Sequence, residues 1–195
     1  MQPTRFIAIA TAAMLVAGCG DAVAIATRRL RIYTMPNGPM ENTLRVGDRF
    51  AVDTHARVHR GSIIVFTGPA SWQASQLGKT DLKFVKRVIG VGGDHVVCCD
   101  RSGRVTVDGV PLEEPYLYPG VRPSGVTFDV TVPPARLWVM GDHRDASADS
   151  RSHMSDGQTG TIPESAVVGV VVKIVGPRSR ARPLPTPTYP GLASR

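Results

Sequence analysis

Short runs of β-forming residues, each closed off by glycine or proline, set the limits on what this chain can fold into. Ile63-Ile64-Val65-Phe66 is opened by Arg60-Gly61 and ended by Gly68-Pro69. Phe84-Val85-Lys86-Arg87-Val88-Ile89 lies in a run that ends at the Gly92-Gly93-Asp94 turn. With 20 Gly and 16 Pro in 195 residues, helices long enough for a bundle have no room. Periodicity and composition predict strands at 30–34, 49–53, 63–66, 82–91, 127–132, 137–140 and 166–175. Residues 95–99 and 104–108, with an Asp108-Gly109 turn, read as a hairpin meander. Residues 70–81 and 115–125 read as loops. The polar stretch 141–160 is long for a loop, and long loops in compact domains are often functional. No helix is expected after residue 27, and there are no internal repeats.

Residues 6–27 are apolar enough to span a bilayer, with Asp21 the one charge. An aspartate at mid-span costs about 2.5–3.5 kcal/mol, less near an interface. Val16-Ala17-Gly18-Cys19 also fits a lipoprotein processing box, so attachment through a lipid on Cys19 stays open. The chain therefore divides into an anchor or signal segment (1–27), a β domain (28–176) and a Pro/Arg-rich tail (177–195) expected to be disordered. The formal charge is +7. Its arginines gather after the apolar segment (Arg28, Arg29, Arg31) and in the tail (Arg178, Arg180, Arg182), a distribution suited to membrane lipid headgroups. No aromatic-basic interleaving or helix-turn-helix signal accompanies them, so no nucleic-acid partner is expected. The three cysteines include a vicinal pair, Cys98-Cys99, a spacing that rarely gives an unstrained disulfide. No spaced Cys/His set exists, so neither metal nor cofactor is expected.

Three segments, in order, carry chemistry. The first is Met35-Pro36-Asn37-Gly38-Pro39-Met40-Glu41-Asn42-Thr43-Leu44, followed by Val46-Gly47-Asp48. The second is Phe84 through Asp94. The third is Gly141-Asp142-His143-Arg144-Asp145-Ala146-Ser147-Ala148-Asp149-Ser150-Arg151. Together they resemble the nucleophile, lysine and Gly-Asp-Asn-Arg boxes of bacterial type I signal peptidases, of an actinobacterial-like kind. The resemblance covers roughly residues 23–175. It implies a signal-peptidase-like antiparallel β-sheet domain with an N-terminal membrane anchor. It places that domain on the extracytoplasmic face of the cell membrane, although the positive charges following the span would by themselves favour the cytoplasm.

The family removes signal peptides from exported preproteins with a Ser–Lys dyad. By resemblance Lys86 is the general base, its amine kept neutral by burial. Ser147 would hydrogen-bond and orient that amine. Asp142, Arg144, Asp149 and Arg151 would form ion pairs holding the loop, either Asp149 with Arg151 or Asp142 with Arg144. Met35, Met40, Leu44, Phe84 and Val85 match positions lining the pockets for the substrate, which binds as an added strand. Position 39 departs from the pattern. The nucleophilic serine is replaced by Pro39, which has neither a hydroxyl nor a backbone N–H. The second loss removes an oxyanion donor, worth about 100- to 1,000-fold in rate. Asn37, two residues earlier, can still donate from its amide. Ser62 stands where the family carries an aspartate after Arg-Gly.

Three readings follow. The chain is a catalytically impaired signal peptidase homologue that binds signal peptides or C-regions, or modulates an active paralogous signal peptidase. Or it is an active serine endopeptidase using another nucleophile. Or it is an exported β-rich lipoprotein with a binding role. An intact lysine box and serine loop favour the first two.

Overall fold

The computed structural model describes residues 29–73 and 81–192. The apolar segment expected to anchor the chain lies outside them, as do Cys19 and residues 193–195. Among the described residues no helix is long and apolar enough to cross a membrane.

The architecture is mainly antiparallel β, as expected. The strands are β1 (Leu30–Thr34), β2 (Arg49–Asp53), β3 (Ile63–Thr67), β4 (Lys83–Val91), β5 (His95–Cys98), β6 (Val105–Val107), β7 (Val110–Pro111), β8 (Phe128–Thr131), β9 (Arg136–Met140), β10 (Ile162–Pro163), β11 (Val167–Gly176) and β12 (Arg182–Pro183). The larger sheet runs β1-β2-β11-β3-β4-β9-β10, with β12 on β11. The smaller runs β7-β6-β5-β8. The turn between β6 and β7 is Asp108-Gly109, both at positive φ (49° and 78°), the backbone that a tight two-residue hairpin demands.

Alternation along the strands sorts the side chains into separate cores. Ile89, Trp138 and Met140 face the small sheet and bury Val96, Val107 and Phe128 with them. Val88, Val139, Ile64 and Phe66 face the other way and pack on Trp72. Met35, Met40 and Leu44 fold inward onto Phe50, Val52 and Val65. Each such fully buried large side chain contributes about 1.5–3 kcal/mol.

Three expectations change. Residues 70–73, read as loop, form one helical turn, α1 (Ala70–Gln73), which carries the buried Trp72. Cys98 and Cys99 are joined by a disulfide. The segment after residue 176, expected to be disordered, is ordered through residue 192. Its composition is polar, but a few residues anchor it. Arg180 forms a two-pronged pair with Asp48 at 2.8 Å on both arms. Leu184 packs on the Met40 core, and β12 extends β11. Pro187 lies against Gly61, where a Cβ would come within 2.9 Å of it. Tyr189 is buried, and its hydroxyl meets that of Tyr116 at 2.9 Å. Prolines suit this edge because they need no ladder donor.

Candidate active site

β4 has a paired strand on both sides only at Arg87. β3 pairs with Lys83 through Arg87, whereas β9 pairs only from Arg87 to Val91. The chain leaves β9 at Met140 and turns away at Gly141. The other edge of residues 83–86 therefore faces no strand among the described residues. A cavity of about 450 Å³ lies along that edge. Because the edge is open, side chains from both faces of β4 reach it: Phe84 and Lys86 from one, Val85 from the other. Met35, Pro36, Asn37, Gly38 and Pro39 form a second wall, and Ala146 and Ala148 a third.

Lys86 is only 3% exposed. Burial lowers its amine to about 8; the carboxylates of Asp149 and Asp142 pull the other way, and Arg151 adds to the lowering. No group among the described residues hydrogen-bonds the amine. Its neighbour Arg87 is equally buried but saturated. Nε and Nη2 donate to Asp142 at 2.8 and 2.6 Å, and Nη1 donates to the Gly61 carbonyl at 2.8 Å. The guanidinium also stacks 3.9 Å over the Tyr116 ring. Burial alone would lower Arg87, but Asp142 outweighs it and the pKa is raised.

The third wall is held by polar contacts that begin with glycine. A Cβ on Gly141 would overlap the Ser147 hydroxyl and the Pro39 carbonyl, so only glycine fits between them. Gly141 N–H donates to Asp149 at 2.9 Å, and Ser150 Oγ accepts from Val139 N–H at 2.9 Å. Asp149 pairs with Arg151, 2.8 Å on both arms, and Arg151 also donates to the Arg144 carbonyl at 2.7 Å. Burial would raise the Asp149 carboxyl, but Arg151, the Gly141 N–H and Lys86 bring it below its usual value. Asp142 and Arg144 do not pair with one another. Asp142 takes Arg87, and Arg144, buried in the 3-10 turn at Arg144–Ala146, takes Glu114 and the Gly141 carbonyl.

Two further placements differ from the sequence reading. Met40 and Leu44 are fully buried in the core and do not line the cavity; Met35, Phe84 and Val85 do. The hydrogen-bonded turn at 38–44 points them inward, with Thr43 and Leu44 N–H both bonded to the Met40 carbonyl. The Ser147 hydroxyl is buried and has no hydrogen-bond partner, so it does not orient the Lys86 amine here. It lies closed in against Gly141 instead.

Pro39 lines the cavity, and its carbonyl accepts the His143 N–H at 3.1 Å. Next to it is a group that motif reading missed. His143 stacks on Tyr118 at 4.0 Å between centroids, and its Nδ1 lies 3.9 Å from Glu41. Tyr118 sits in a stretch that reads only as loop, so no pattern marks it. Lys83, Ala146 and Ala148 were missed as lining residues; small residues flanking Ser147 were the available signal.

Comparison with known proteins identifies the family. The profile of the family described as signal peptidase, peptidase S26, matches residues 4–175. The chain belongs to that family. It is 40% identical to a signal peptidase I of Mycobacterium tuberculosis over 77% of this chain and 66% of that protein, slightly under two thirds of the relative's length. A probable signal peptidase I of Mycobacterium leprae is 37% identical over 77% of this chain and 70% of its own. The signal peptidase I U of Bacillus subtilis is 35% identical over 68% and 73%. A solved signal peptidase I from Enterococcus faecalis V583 aligns with 59% of this chain and 97% of its own, at 25% identity and a TM-score of 0.44.

Proposed function

We propose that the groove binds the end of an exported preprotein's signal peptide as an added strand along residues 83–86, and that cleavage is impaired because residue 39 is proline. The observation that carries this reading is the open edge of β4, with Lys86 buried and unbonded at one end and a pyrrolidine ring where a hydroxyl would have to attack. Added-strand binding draws affinity from main-chain hydrogen bonds and specificity from alternate pockets. Ala146 and Ala148 leave room for small side chains opposite Val85. A peptide bound there lies within reach of a base held near neutral pH, but no oxygen at residue 39 can form the acyl intermediate. Residues 1–27 act as the membrane anchor, or lipid on Cys19 does, with the β domain on the extracytoplasmic face. In such a protein the role is capture of signal peptides, or modulation of an active signal peptidase in the same membrane.

The test is cleavage and binding of a model preprotein by the purified chain beside Pro39→Ser. The expected result is binding by both and cleavage by the serine variant alone. Cleavage by the protein as it stands would overturn the impairment. Absence of peptide binding by both would overturn the groove.

A further inference from the structure

A second concavity, about 430 Å³, shares no lining residue with the groove. Arg45, Arg87, Arg180 and Arg182 line it, with Thr186 on one wall and no acidic side chain. Two of the four arginines are matched, Arg87 by Asp142 and Arg180 by Asp48, each through two prongs. The other two are not. The Arg45 guanidinium makes no hydrogen bond or close ion pair among the described residues; its charge acts on Asp48, but Arg180 already holds both oxygens of that carboxylate. That of Arg182 makes one long contact, 3.5 Å to the Thr43 carbonyl, to which Arg180 also donates at 3.4 Å. Two unmatched positive charges therefore face one cavity from opposite parts of the chain: Arg45 follows the 38–44 turn, and Arg182 lies on β12.

We infer that this cavity binds a phosphate group carrying two negative charges, as free phosphate or as a phosphate monoester. A guanidinium fork takes two oxygens of a tetrahedral oxyanion, so two forks can share one phosphate. A carboxylate has one charge and two oxygens, and would leave one arginine unmatched. The site is independent of any chemistry at residue 39. Bound phosphate links the segment after Pro39 to the C-terminal segment, so binding stabilises the folded chain by mass action.

The experiment is thermal unfolding of the full chain in nonionic detergent, titrated with inorganic phosphate against sodium chloride at matched ionic strength. Phosphate is expected to raise the midpoint with the logarithmic dependence on concentration of binding at one site. Arg45→Ala with Arg182→Ala is expected to weaken binding at least tenfold, while Arg178→Ala, outside the cavity, leaves it unchanged. Both replaced side chains are exposed, and neither holds an ion pair that the fold uses. Arg45→Gln alone provides a milder second variant, with the same direction of change. Soluble dihexanoyl phosphatidic acid, with dihexanoyl phosphatidylcholine as control, separates the sources. Tighter binding of phosphatidic acid than of phosphate assigns a lipid headgroup, and equal or weaker binding assigns free phosphate. An equal rise with chloride, or an unchanged response in the double and Arg45→Gln variants, overturns the site.

Discussion

Lys86 and Arg87 are adjacent, both cationic and both almost fully buried, yet the protein treats them oppositely. Consecutive strand residues face opposite ways. Arg87 turns to a side where Asp142, the Gly61 carbonyl and the Tyr116 ring meet every part of its guanidinium. Lys86 lies where the sheet is unfinished, and no group among the described residues bonds its amine. Burial pushes both pKa values down, but Asp142 overrides it at Arg87, whose pKa is raised, while that of Lys86 falls to about 8. A buried charge with partners holds a structure together; one without partners is available for proton transfer.

Four measurements bear on that contrast. Pro39→Ser supplies the oxygen that Lys86 can deprotonate and restores a backbone N–H. Preprotein cleavage is expected to rise by on the order of a thousandfold or more, and adding Lys86→Ala should abolish the gain. If the serine variant stays active without the lysine, Lys86 is not the base. Next, Arg87→Ala leaves Asp142 buried and unpaired, and chemical denaturation should show a loss of about 3–5 kcal/mol. The third concerns pH. Lys86 binds its proton at about 8 in the folded chain against 10.5 in the unfolded one, so the unfolded chain holds more protons between those values. Stability should rise with pH across that window by up to about 3 kcal/mol, with the full penalty present below pH 8. Lys86→Met should flatten this dependence; a profile unchanged by the substitution would show that the amine is solvated. The smallest effect is at the C-terminal segment. Tyr189→Phe removes the hydroxyl contact with Tyr116 and should cost about 1 kcal/mol in a urea titration.

The strands around this pair were legible because alternation and glycine punctuation are local signals, and the three boxes drew attention to Lys86, Asp149 and Arg151. What the sequence did not disclose depends on distance. Nothing local says that β9 stops short of Lys83, that Asp142 chooses Arg87 over Arg144, or that Met40 and Leu44 turn inward. The C-terminal segment was misread for the same reason. Its average composition is that of a flexible chain, while its fate is decided by Arg180, Leu184 and Tyr189, each finding a partner more than 70 residues away in sequence or packed in the distant core.

The unfinished half of β4 also carries a cost. Unpaired N–H and C=O groups invite any extended chain, including a second copy of this one. The strip is only four residues long and carries Lys83, whose ammonium donates to Thr67 Oγ1 at 3.0 Å and pairs with Asp81. That charge is well placed to keep identical edges apart. Lys83→Val should leave the fold intact and turn a monodisperse sample into one that associates with increasing concentration, as read by light scattering.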